Sequence, residues 1–364
     1  MINLSLEWNY YKLEDLINLR TGKLDSNAEE ENGIYPFFTC APDPLKINSF
    51  SFDQKAILLA GNNANGNFHI NYYEGKFDAY QRTYVIDLLD SEKIDLKFLY
   101  YSMKICLKDF KRVSQGTSTR FLTKKILDDF EIQVPKMETQ IKIVEILDSI
   151  SAKIEINKRI NDNLEGLSSK LAIHIFNQNC TDSIELKDIC KFIKGRKPKE
   201  ISEVKEDDFL NYLTIDVLTN QNNVYAFDEK GILADEYDVL MVMDGASSGK
   251  LFYGKKGLVG STLAKLDIKK EYREIIFQFL KINEEFITEN TTGTAIPHTD
   301  KGLVLSLQCP MSEEILNYSQ TFKTIRSTII SNTHEIIKLQ QLRDTLLPKL
   351  MSGEIDVSEI NCDL

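Results

Sequence analysis

Apolar positions change their period along the chain, and they do so twice in the same order. Short apolar runs come first, YPFFTC at 35–40, AILLAG at 56–61 and RTYVIDLL at 82–89. Their β-branched and aromatic content, bounded by turn residues, predicts strands. IDLKFLYYSMKICLKDF at 94–110 moves to helical spacing. Beyond Pro135 apolar residues recur every three or four positions for about forty residues, the pattern of one long helix. NYLTID at 211–216 and DVLMVM at 238–243 start the succession again, and a second long helical pattern follows Pro310. The fold class this predicts is α+β (mixed α/β), with two globular bodies at 1–134 and 181–309 and long helices at 135–180 and 310–364.

The succession is an internal repeat. Pro310 lies 175 residues beyond Pro135 (310 − 135), and at that offset Glu138 meets Glu313, Ile150 meets Ile325 and Leu171 meets Leu346. Upstream, Gly116-Thr117 of QGTSTRFLTKKILDDFEIQVP pairs with Gly293-Thr294 of TGTAIPHTDKGLVLSLQCP at an offset of 177 (293 − 116). LEDLINLRTGK at 13–23 resembles LKDICKFIKGR at 186–196, pairing Gly22 with Gly195. The helices match best and the bodies have drifted apart.

In the second helix Ile315, Tyr318, Phe322, Ile325, Ile329, Asn332, Ile336, Leu339, Arg343, Leu346 and Leu350 step alternately by three and four. That is the 3.5-residue period of a coiled coil. In the first, Ile143, Leu147, Ile150, Ile154, Asn157, Ile160, Leu164, Leu167 and Leu171 follow it, with one residue lost after Asn157, which predicts a stammer. Antiparallel pairing would relate the halves by a pseudo-two-fold axis and set Asn157 near Asn332. Residues 138–176 reach ~58 Å as a helix, the length of ~17 base pairs of B-DNA at ~3.4 Å each. A rod of this length is a spacer.

Composition bounds the rest. The 364 residues exceed one core, and no apolar run approaches the ~18 residues of a membrane span. Six cysteines without a CxxC pair, and an N-terminal stretch without a cleavage site, predict a cytoplasmic protein with no membrane partner. A net charge of −11 argues against nucleic acid, but Lys104, Lys108, Lys111, Arg112, Arg120, Lys124 and Lys125 form one local basic cluster. Lys194, Arg196, Lys197 and Lys199 form another.

Two loops rich in Gly, Asn and Ser, GNNANGN at 61–67 and DGASSGK at 244–250, allow a ligand close to the backbone. With the Gly-Thr segments and the basic clusters they provide candidate DNA contacts. These are Asn62, Asn63, Asn65, Thr117, Ser118, Thr119, Arg120 and Lys124 in the first half. In the second they are Arg196, Lys197, Ser247, Ser248, Lys250, Thr294 and His298. Asparagine suits adenine, Arg and Lys suit guanine, and any of them can hold phosphate. GASSGKL is not a P-loop, since three residues separate its glycines and Leu251 stands where the motif needs Ser or Thr. The four histidines have no metal spacing. No catalytic residue and no metal site is expected.

With the opening LEDLINLRTGK, the VPxxExQxxI pattern (Val134, Pro135, Glu138, Gln140, Ile143) and the closing LRDTLLPKLMSGEIDV at 342–357, the chain resembles the specificity subunit of type I restriction–modification systems. The resemblance covers nearly the whole length. It implies two target-recognition domains in inverted orientation, separated by helices packed as an antiparallel coiled coil, each domain reading half of a bipartite double-stranded DNA site. It also implies a non-catalytic chain whose partner/spacer helices, with Ile150, Ile154, Asn157, Leu164 and Leu171 and their counterparts Ile325, Ile329, Asn332, Leu339 and Leu346 along the seam, dock two DNA methyltransferase subunits, with restriction/translocase subunits joining. S-adenosylmethionine, ATP and Mg then belong to those partners, with no cofactor in this chain. The competing expectation is a coiled-coil scaffold that assembles proteins without reading DNA.

Overall fold

The computed structural model describes residues 8–177, 182–219, 221–293 and 295–357. The chain divides into two compact units, Met1–Ile154 with Ile337–Leu364, and Glu155–Ile336. The division runs through both long helices, α4 (Met137–Phe176) and α10 (Ser319–Met351). Each long helix is thus shared between the two units. Each half of each helix belongs to the unit whose core it completes.

In unit 1, β1 (Asn9–Lys12), β2 (Ile17–Thr21), β3 (Tyr35–Phe38), β4 (Leu45–Ile47), β5 (Phe52–Ala60), β6 (Asn62–Asn63), β7 (Ile70–Ala79) and β8 (Thr83–Leu88) precede α1 (Leu96–Ile105) and α2 (Leu107–Val113). β9 (Arg120–Phe121), α3 (Lys124–Asp128) and β10 (Glu131–Val134) then lead to α4. The main sheet runs β2-β8-β5-β7-β3-β4, antiparallel except where β3 meets β7. β5 alternates in burial and then has five successive buried residues, because its end is covered on both faces. The helical stretch 94–110 is two helices. The first starts at Asp95, whose carboxylate accepts the Lys97 and Phe98 amides. β1 and β10 pair antiparallel, so the chain enters and leaves the body side by side. Gln140 fixes the start of α4. It is fully buried, accepts the Asp95 amide at 2.8 Å, and donates to the carbonyls of Lys93 and Pro135 at 3.1 and 2.9 Å. Ile143 and Leu147 of α4 and Leu347, Leu350 and Met351 of α10 complete the body core.

In unit 2, β11 (Ser183–Glu185), β12 (Cys190–Lys194), β13 (Glu200–Ser202), β14 (Leu210–Leu213), α5 (Ile215–Leu218), β15 (Tyr225–Phe227) and β16 (Leu233–Ala234) come first. β17 (Val239–Val242), β18 (Leu251–Phe252), β19 (Gly257–Val259) and β20 (Leu263–Ile268) follow, then α6 (Arg273–Ile282), α7 (Glu284–Glu289), α8 (Lys301–Ser306), β21 (Gln308–Pro310) and α9 (Glu313–Asn317). The order β12-β20-β17-β18 reproduces β2-β8-β5-β7, and β11–β21 reproduces β1–β10. The paired glycines mark the same close approach: a Cβ on Gly22 or Gly195 would strike the backbone of the neighbouring turn. The bodies differ where unit 1 adds β3 and β4 and unit 2 adds a five-stranded sheet, β13-β15-β14-β19-β16. The second helical pattern is broken at Tyr318, between α9 and α10.

Two expectations about the seam need correction. Within unit 2 the helices run antiparallel, but Asn157 donates to Glu335 at 2.8 Å, and Asn332 donates to Asn161 at 2.9 Å. The register places Asn157 nearly one turn away from Asn332. There is also no stammer in the buried face of α4. Ile160 and Leu167 are 40% and 55% exposed, and the inward positions continue as Asn161, Leu164, Ser168 and Leu171. The three-four stepping is intact, with polar residues at places where apolar ones were sought. Ile150, Leu339 and Leu346 are half-buried, while Ile154, Ile325 and Ile329 are buried.

Candidate nucleic-acid interface

Each body brings two loops together. In unit 1 the GNNANGN loop leaves β5 and pairs through β6 with β9, Asn62 opposite Phe121 and Asn63 opposite Arg120. Gln115 also bridges Phe121, closing a loop tipped by Thr117, Ser118 and Thr119. In unit 2 the DGASSGK loop leaves β17, Asp244 bridges His298, and Thr292 bridges His298. Both ends of the closed loop lie 177 residues apart between units (292 − 115 and 298 − 121), the offset that aligned Gly116 with Gly293. These glycines have φ of 106° and 91°, a region that L side chains rarely enter. A Cβ on them would collide with the carbonyls of Thr119 and Ile296, again equivalent positions. The next helices are capped alike. Thr123 accepts the Ile126 amide at 3.4 Å, and Asp300 accepts the Leu303 amide at 3.0 Å, so Lys124 and Lys301 are equivalent.

On these matched backbones the side chains differ. In unit 1, Asn63 accepts the amides of Asn65 and Asn67 at 2.9 and 3.1 Å, and Asn62 accepts the Cys40 thiol at 2.9 Å. Lys111 donates to Asn67 at 2.7 Å, and Arg120 donates to the Ser114 carbonyl at 3.1 Å. Asn65, Thr117 and Ser118 are exposed. Phe121 lies 5.6 Å from the Arg82 guanidinium. Two adjoining hollows meet at Thr21, Tyr84 and Lys124. Arg20 and Lys23 line one, Arg82 and Gln115 the other. Lys124 is paired with Asp128 at 2.7 Å, and Arg20 with Asp87.

In unit 2, Asp244 receives Lys194 at 2.9 Å and His298 Nδ1 at 2.8 Å. Burial raises the Asp244 carboxyl, but the bonds from Lys194 and His298 outweigh it and hold the group below its ordinary range. The His298 side chain is 51% exposed. Arg196 pairs with Asp228 at 3.2 Å, and Lys197 and Lys250 are exposed. Ser247 is half-buried, and the Ser248 hydroxyl is buried against the Gly245 and Pro297 carbonyls at 2.8 and 2.9 Å. Thr294 lies outside the described residues.

Most of the sequence-derived candidates thus gather at the two loop pairs, but not all with free side chains. Asn63, Ser248 and one guanidinium nitrogen of Arg120 tie the loops to themselves. Sequence reasoning missed Arg20, Lys23 and Arg82, which reach the site from the sheet. It also missed Asp244 as an orienting group, although Lys301 follows from Lys124 at the repeat offset. Among the described residues no His, Cys, Asp and Glu cluster is placed to hold a metal, and no helix is long and apolar enough to cross a membrane.

One body-and-helix module made twice, each copy presenting the same loop frame with different side chains, defines a protein of two tandem structural repeats. The profile of the type I restriction modification DNA specificity domain matches residues 5–166 and again 181–338, and the chain belongs to that family. Over 155 residues it is 41% identical to the EcoDI specificity subunit of Escherichia coli, covering 43% of this chain and 34% of that one. Over 175 residues it is 28% identical to the MjaVIII specificity subunit of Methanocaldococcus jannaschii, covering 46% and 41%. The chain thus spans well under half the length of these two relatives. The fold is similar to that of a type I restriction-modification S subunit from M. genitalium, with TM-score 0.69 and 19% identity over 96% of this chain and 97% of that one.

Proposed function

We propose that this chain is the DNA-reading, non-catalytic specificity subunit of a type I system, and that each loop pair reads one half of a bipartite duplex. One observation carries the reading: the two loop frames agree in backbone while Asn62, Arg120 and Phe121 give way to Asp244, Pro297 and His298 at equivalent positions. A frame repeated with altered side chains suits two different half-sites. Lys23, Arg82 and Lys124 in unit 1, and Lys194 and Lys301 in unit 2, supply phosphate contacts beside the loops, which offsets an acidic total. Asn65, Thr117, Ser118, Lys250 and His298 are the groups offered to base edges. The long helices dock two methyltransferase subunits, and restriction/translocase subunits join that core. S-adenosylmethionine, ATP and Mg belong to those chains.

The test is protection of duplex DNA by the chain assembled with its methyltransferase partner. A split footprint whose affinity falls steeply with salt is expected. Stable assembly with no footprint on any bipartite duplex would leave only the scaffold reading.

A further inference from the structure

We infer that body and long helix are joined in each unit by an ionic lock of opposite polarity, so that each body fits its own helix segment and is repelled by the other. The inference does not depend on what the loops read. Helices α1 and α6 align at the offset of 177 (273 − 96), which makes Lys97 and Glu274 equivalent. Helices α4 and α10 align at 175, which makes Asp148 equivalent to Lys323 and Ser151 to Arg326. In unit 1 the Lys97 ammonium bonds Asp148, and the Tyr101 hydroxyl donates to the second oxygen of Asp148 at 2.8 Å. In unit 2 the Arg326 guanidinium donates to Glu274 at 2.6 Å and to the Tyr237 carbonyl at 3.0 Å. It lies 5.2–5.6 Å from the ring centres of Tyr253, Phe277 and Tyr237. Arg273, next to Glu274 on α6, and Lys323 on α10 add further positive charge acting on Glu274.

The body therefore brings the cation and the helix the anion in unit 1, and the reverse holds in unit 2. Stability alone does not account for the second pair. Burial is the largest influence on both partners, raising the Glu274 carboxyl and lowering Arg326. Breaking such a pair is far more costly than making it is rewarding. Specificity is the better attested use of a buried ion pair. A chain built from two similar modules has a wrong answer available, in which a body folds onto the other module's helix. That arrangement sets Lys97 against Lys323 and Arg326, and Glu274 against Asp148.

Two measurements test this on the full chain. In the first, residues 182–308 are replaced by a second copy of 8–134, with the native α10 or with Lys323→Asp and Arg326→Ser added. The corrected chain is expected to melt about 5 °C or more above the uncorrected one, and equal midpoints overturn the lock. In the second, Lys97→Glu and Asp148→Lys are made singly and together in the native chain. Each alone lowers the midpoint, and the pair recovers most of the loss. Losses that simply add overturn it, whether or not the duplicated chains fold. Neither measurement uses DNA, so a failed lock and a failed half-site reading are told apart.

Discussion

The loop frame of unit 1 and that of unit 2 agree in the turns and bridges that hold the backbone and disagree in the side chains set on it. The agreement includes a left-handed glycine, a bridge closing the loop, and a capped helix start with lysine behind it. The disagreement is Asn62 against Asp244, Arg120 against Pro297, and Phe121 against His298. Backbone geometry is thus the constant and side-chain chemistry the variable. In unit 1 a phenyl ring beneath Arg82 offers stacking and no hydrogen bond. In unit 2 Asp244 holds the imidazole of His298 through Nδ1, on a side chain that stays half exposed.

The largest break in this comparison is replacement of a whole module. Exchanging 182–308 for the corresponding body of another family member is expected to change one half-site completely and leave the other intact. Sequencing of the protected or methylated bases reads both halves at once, and an unchanged target contradicts the assignment of one loop pair to one half-site.

The frame itself comes next. Gly116→Ala places a Cβ against the Thr119 carbonyl at positive φ, at a cost of about 1–3 kcal/mol. We expect affinity to fall roughly 10- to 100-fold for targets bearing the first half-site, with the body still folded. Gly293→Ala should do the same to the second half-site. A loss shared equally by both half-sites in either variant would show that the frames are not independent.

Much of this was legible in the sequence because it is periodic or glycine-bound. The offset 175 located both long helices, 177 paired the two Gly-Thr segments, and 173 (195 − 22) paired Gly22 with Gly195. What was lost is what depends on register between distant segments. Asn157 and Asn332 each find a different partner, because a pairing that is one turn off cannot be seen from either helix alone. The supposed stammer came from counting only apolar residues, when Asn161 and Ser168 occupy the seam. At the site, Asn63 and Ser248 read as offered groups because their type fits DNA, yet short side chains in tight turns satisfy their own backbone first. Gln140 shows the converse. The repeat puts Ile315 at the equivalent position (140 + 175), yet Gln140 is fully buried and makes three hydrogen bonds.

Within unit 2 the comparison sharpens to one pair. Asp244→Asn keeps shape and removes the charge that Lys194 and His298 share. Loss of a charge-assisted contact of this kind is worth about 1–2 kcal/mol, so affinity for the second half-site should fall about tenfold. The first half-site is the internal control. Since the Asp244 carboxyl is held below its ordinary range, this contribution persists above the unfolded carboxylate range and disappears only as pH falls through the lowered value. A binding profile flat in acid down to unfolding would contradict the pairing.

The smallest effect tests where the two units should behave alike. Lys124 and Lys301 stand at equivalent positions behind unlike loops, one paired with Asp128 and the other 5.9 Å from the Phe192 ring. If both neutralise phosphate, Lys124→Gln and Lys301→Gln should each reduce the salt slope of binding by about one and weaken all targets uniformly, with no change in the bases read. The aspartate beside Lys124 already screens part of its charge, so Lys124→Gln should have the weaker effect of the two. A change of sequence preference in either variant would move that lysine from the shared backbone contacts to the variable readout, and would redraw the line between what the modules have in common and what distinguishes them.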